Sequence, residues 1–151
     1  MALIDDLLNL EIPMYNFSWS NEPAADASER PRNLHSVGEL ISTQSYPDAK
    51  VHLTYAWVTE IDEETHWVDE HVHDYDEILM WTGSDPDDPH DLGAELYVEI
   101  EGERRTFTTS GSIYVPAGVR HCPLGFIRVN RPFIWHALSL SPVYASVETD
   151  R

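Results

Sequence analysis

Lysine is almost absent: Lys50 stands alone against twenty-seven acidic residues, and the formal charge is −18 at pH 7. A surface so short of cations repels phosphate backbones, which argues against nucleic acid as a partner. It repels anionic lipid headgroups for the same reason. Cysteine occurs once, at Cys122, so no internal disulfide can form and a reducing compartment is expected. No apolar run approaches the roughly 18–20 residues of a membrane span. The opening MALIDDLLNL carries acids where a secretory leader needs a basic start, so a cytoplasmic location is expected. Internal repeats are lacking too, and 151 residues suit one domain.

What the chain does have is proline and aromatics: ten Pro, five Trp, seven Tyr and four Phe. That mixture favours many short strands joined by turns. Residues 2–10 place Leu3, Ile4, Leu7 and Leu8 at helical spacing, predicting a short amphipathic helix. Tyr15, Phe17 and Trp19 alternate like a strand, and the polar stretch from Ser20 to Arg32 reads as an arm over the surface. From Val51 to Ile61 the alternation predicts a strand with Val51, Leu53, Tyr55, Trp57 and Ile61 on one face. Further strands are expected at 67–73, 78–81, 94–100, 104–109, 113–115, 126–129 and 132–140. Glu101-Gly102-Glu103 is a hairpin turn between two of them. Residues 1–50 then form a helix and arm of the same domain, and 51–151 an antiparallel sandwich or barrel.

The densest chemistry lies in HVHDYDEILMWTG, residues 71–83. In a strand, His71 and His73 share a face, and Glu77 has the same parity if the chain bends at Asp74–Asp76. Two imidazoles and a carboxylate suit a divalent transition metal. Downstream, GSIYVPAGVRHCP uses Pro116 and Gly118 as a turn that delivers His121 as a fourth candidate ligand.

These two stretches resemble the paired motifs of the cupin family: His71, His73, Glu77 and Gly83 in the first, and Gly111, Pro116, Gly118 and His121 in the second. Two spacings are one residue short of the commonest, and Gly125 stands where the family often has Asn. The resemblance covers roughly Val51 to Ser141. It implies an all-β, double-stranded β-helix (jelly-roll) barrel with one metal ion held by the three histidines and the glutamate. Iron(II) is favoured by the resemblance; manganese, nickel, copper and zinc accept the same donors. The expected function is a metal-dependent reaction on a small organic molecule, first a mononuclear iron(II) oxygenase. A Lewis-acid isomerase, dehydratase or cyclase is the alternative, as is a non-catalytic binding barrel, because the fold is nearly silent on the reaction.

Around the motifs, Tyr75 and Tyr114 are candidates to line the pocket. His136 shares a strand face with Ile134 and Leu138; it is either a core histidine or a substrate-facing acid/base. Parity sets Cys122 on the opposite face from His121, which reads as a buried structural thiol. Arg120, Arg128 and Arg131 could clamp a carboxylate or form ordinary ion pairs. The acidic loop 83–93, with His90, lacks the spacing of a calcium loop. His35, His52 and His66 carry no pattern. The apolar N-terminal helix and aromatic stretch need a partner surface, so a homodimer using residues before Lys50 is expected.

Overall fold

The computed structural model describes residues 2–14 and 30–142. The expected strand at 15–19 and most of the arm lie outside them. The helix is α1, Leu3–Leu7, shorter than its apolar spacing suggests, because Leu8 already has extended backbone (φ −84°, ψ 121°). None of its residues is buried.

Among the described residues nine strands follow in two antiparallel sheets: β1 Gly38–Ile41, β2 His52–Val58, β3 Thr65–His66, β4 Glu77–Gly83, β5 Asp91–Ile100, β6 Glu103–Thr109, β7 Gly111–Val115, β8 His121–Val129 and β9 Phe133–Ser139. One sheet has the order β1-β2-β9-β4-β7 and the other β3-β8-β5-β6. The hairpin between β5 and β6 turns through Glu101 and Gly102, both at positive φ, as its sequence predicts. The sheet begins before Lys50, because β1 pairs with β2 and is itself reached by Met14 through a single bridge to Gly38.

The core fills the space between the sheets. Ala56, Val58, Leu79, Trp81, Phe133 and Ala137 from the first meet Leu92, Ala94, Leu96, Phe126 and Val129 from the second. Alternation is strict on β2: His52, Thr54, Ala56 and Val58 are buried, whereas Leu53 and Tyr55 are half-buried and Trp57 is exposed. The larger apolar residues of β2 therefore take the outer face. Period two distinguishes the faces of a strand, but when both are apolar it does not say which is inside.

The segment expected as a strand at 67–73 is a correction. Only Thr65–His66 pairs as a strand, with β8, and His71 makes one isolated bridge to His121. The backbone from Trp67 onward bends, and its polar groups bond locally. The Nδ1–H of His71 donates to the Asp69 carbonyl, and the amide of Gly118 donates to the His73 carbonyl.

Candidate metal centre and cavity

His71, His73, Glu77 and His121 converge: one donor atom from each lies within 4.8 Å of all the others. All four side chains are buried. His71 and His121 hold each other's backbone, each amide bonding the other's carbonyl at 3.1 Å. Glu77 opens β4, and its partner in β9, Ser139, donates its hydroxyl to Glu77 Oε2 at 3.3 Å.

The donor atoms are oriented before any ion arrives. His71 Nδ1 lies 2.7 Å from the Asp69 carbonyl and His121 Nδ1 lies 2.9 Å from the Val119 carbonyl. A carbonyl only accepts, so each Nδ1 carries the proton and each Nε2 turns its lone pair inward. His71 Nε2 is 3.0 Å from His73 Nε2. Metal–nitrogen bonds of about 2.1 Å at right angles would place two donors about 3.0 Å apart, so this pair suits adjacent positions on one ion. Glu77 Oε1 is 3.3 Å from His121 Nε2, and its Oε2 is 3.8 Å from His73 Nε2. The cluster could thus hold a divalent metal ion.

Burial, reinforced by the nearby His121, pushes His71 down to about 4, so this imidazole is neutral at neutral pH. Burial alone would raise Glu77. The His121 hydrogen bond and the neighbouring imidazoles outweigh it and hold the carboxyl below its usual range.

Asp76 joins the two motifs. Its Oδ2 accepts from the Tyr114 hydroxyl, its Oδ1 accepts from the Ala117 amide at 2.8 Å, and its carbonyl accepts from the Leu140 amide at 2.9 Å. The two bonds to its carboxylate hold it below the usual range, the Tyr114 bond first and then the Ala117 amide. Tyr114 is exposed and belongs to this clamp; it does not line the cavity. Tyr75 is buried and stacks on His73 with ring centroids 4.6 Å apart. His136 sits on the outer face of β9 beside Tyr55, while its neighbours Trp135 and Ala137 face the interior. Sequence parity grouped His136 correctly with Ile134 and Leu138, and that group points away from the metal cluster.

Beside the cluster lies a mostly apolar cavity walled by Val37, Trp67, Leu79, Leu124, Phe126 and Trp135. Glu77 and Ser139 are where it meets the cluster. Cys122 also lines it, against expectation. Its φ of 77° breaks the alternation of β8, so both His121 and Cys122 are buried. Among the described residues, no lysine or arginine lines this cavity. Arg120, Arg128 and Arg131 pair instead with Glu70, Glu95 and Asp91, each at 2.9–3.0 Å. The residues that sequence reasoning missed are His52, Thr54 and Ser139 in the cavity wall, Glu39 beside them and Asp76 in the clamp. No local pattern marks them, since only strand register brings them together.

Two glycines of the motifs have steric reasons. A Cβ on Gly125 would collide with the ring of Tyr97, its partner across the ladder, so Asn has no room there. A Cβ on Gly83 would run into the Asp91 carbonyl.

No family model matches the chain, and no curated protein matches it by sequence. Solved structures do match its fold. Oxalate oxidase, in complex with the substrate analogue glycolate, is 17% identical with a TM-score of 0.51, over 88% of this chain and 64% of the other. A Cupin 2 conserved barrel domain protein from Salinispora arenicola is 20% identical with a TM-score of 0.46, over 72% and 76%. KdgF from Halomonas sp. is 12% identical with a TM-score of 0.45, over 72% and 80%. With its two facing sheets and its paired motifs, the chain has the cupin fold.

Proposed function

We propose that His71, His73, Glu77 and His121 bind one divalent metal ion, iron(II) in the first instance, and that the protein is a metal-dependent oxygenase of a small organic molecule. The observation that carries this reading is a buried three-histidine, one-carboxylate cluster meeting an apolar cavity at Glu77. A bound ion of this kind supplies Lewis acidity and, as iron(II), electron transfer to O₂. The chain's own part is orientation and exclusion of water. Backbone carbonyls set the imidazole tautomers, Ser139 steadies Glu77, and Trp67, Phe126 and Trp135 keep the cavity dry.

The absence of cations from the cavity wall argues for a neutral or singly charged, ring-bearing substrate. It argues against a compact dianion such as oxalate, although an oxalate oxidase shares the fold. Elemental analysis of protein purified without added metal tests the site: about one equivalent per chain is expected for a site of this kind. Oxygen uptake with ring-bearing hydroxylated substrates tests the reaction. Metal without oxygen uptake, but with substrate turnover, would favour the Lewis-acid alternative.

We further propose a homodimer. Leu3, Ile4, Leu7, Leu8 and Leu10 are 55–79% exposed, and the outer face of the first sheet presents Leu53, Tyr55, Trp57, Ile134 and Leu138. A second copy of the chain covers this apolar surface.

A further inference from the structure

The inner face of the first sheet carries a polar track that the metal cluster does not use. Strand register aligns His52 on β2 with Ser139 on β9, and Ser139 with Glu77 on β4. The next inward row aligns Glu39 on β1 with Thr54, then Ala137, then Leu79. Directly opposed residues of an antiparallel pair point to the same face. Glu39 therefore points inward with Thr54, which, like His52, lines the cavity.

All members of this track are buried, Glu39 at 4% exposure and His52 at 6%. His52 Nε2 and Glu39 Oε1 are 3.7 Å apart, too long for a direct hydrogen bond. Glu39 Oε2 is buried and makes no hydrogen bond among the described residues. A buried carboxylate with an open acceptor is costly unless a donor reaches it. Ala137, small and central between Thr54 and Leu79, leaves space in the wall at that point.

We propose that His52, backed by Glu39, is a second polar anchor of the cavity, which holds a hydroxyl of a neutral, ring-bearing ligand while the rest of that ligand lies towards Glu77. This deepens the metal-enzyme reading and rests on it for the placement of the ligand's other end. The ring packs between Trp67, Phe126 and Trp135. The hydroxyl donates to the Glu39–His52 pair, which rejects a ligand that lacks it because the carboxylate then keeps its open acceptor.

The test uses the full chain as isolated, with its metal, and follows quenching of the cavity tryptophans by phenol and by toluene. Phenol is expected to bind roughly tenfold more tightly, the worth of one well-placed hydrogen bond in a closed site. In His52→Leu that preference should fall to about one, and in Glu39→Gln by at least roughly threefold, with metal content unchanged in both. A phenol preference that survives in His52→Leu assigns the hydroxyl to the metal end and overturns the proposal. Loss of metal in the same variant overturns it too, by making His52 a prop of the cluster. Should His52→Leu fail to fold, the nearly isosteric Glu39→Gln decides alone, and an unchanged preference there is fatal. Wild-type protein that holds no metal sinks the metal-enzyme reading, while the two probes still judge His52.

Discussion

Asp76 bonds to none of the four clustered side chains, yet it joins the two motifs that carry them. Its carboxylate ties Ala117, inside the Pro116–Gly118 turn, to the strand that begins with Glu77, so it sets where His121 sits relative to the first motif. Replacing it with alanine should weaken metal binding by roughly 10- to 100-fold, the usual effect of removing a supporting contact. A competition titration with a coloured chelator reads this, and an unchanged affinity would leave Asp76 a surface residue. His136→Gln is the matched control, expected to leave metal content and turnover as they are, since its side chain lies on the far face of β9. Gly125→Asn is expected to destabilise the protein by about 1–3 kcal/mol through overpacking against Tyr97. Urea denaturation measures this, and part of the loss should return when Tyr97 is also made alanine.

At the scale of elements, the isolated bridge between His71 and His121 replaces the strand that the pattern predicts at 67–73. A continuous strand would aim alternate side chains along one face, some 6–7 Å apart for neighbours on that face. The bend after His71 brings two imidazole nitrogens to 3.0 Å instead. The burial that comes with this arrangement, reinforced by His121, has a cost in acid. His71 is neutral in the folded chain down to about 4, whereas in the unfolded chain it protonates near 6.5. The unfolded state thus binds the extra proton between those values, so stability rises with pH across that window and is lost as pH falls from 6.5 towards 4. Urea melts of the metal-free protein should show this decline, up to about 1.4 kcal/mol per pH unit from this residue. His71→Gln should flatten it; an equally steep profile in the variant would place the titrating group elsewhere.

For the whole molecule, the two sheets differ in what they show to the outside. The outer side of β5 and β6 is charged, with Glu99 and Arg104, opposed across the ladder, in an ion pair. The outer side of β2, β4 and β9 is largely apolar, and α1 exposes further apolar side chains. A homodimer formed there has to bring together two chains of charge −18 each. Added salt should therefore tighten it, because screening over a Debye length of about 8 Å at physiological ionic strength lowers the repulsion. Light scattering at micromolar concentration is expected to give the dimer mass, and removal of residues 1–14 to shift it towards the monomer. A monomer at every salt concentration tested would end the dimer reading.

The all-β architecture and the convergence of His71, His73, Glu77 and His121 were legible in the sequence, because short alternating runs, turn residues and the two histidine motifs are local patterns. So was the hairpin at Glu101-Gly102, where backbone preference decides the turn. What remained hidden depends on contacts between distant strands. Which face of β2 turns inward, and hence the burial of His52, is decided by packing, since Leu53-Tyr55-Trp57 look as much like a core face as the true one. Cys122 enters the cavity through a single positive φ that no parity count anticipates. Tyr114 and Asp76 meet although 38 residues apart. Glu39, His52, Ser139 and Glu77 are scattered along the chain, and only the order β1-β2-β9-β4 sets them side by side. Local chemistry marked the four residues of the candidate metal cluster; strand order built the cavity beside them.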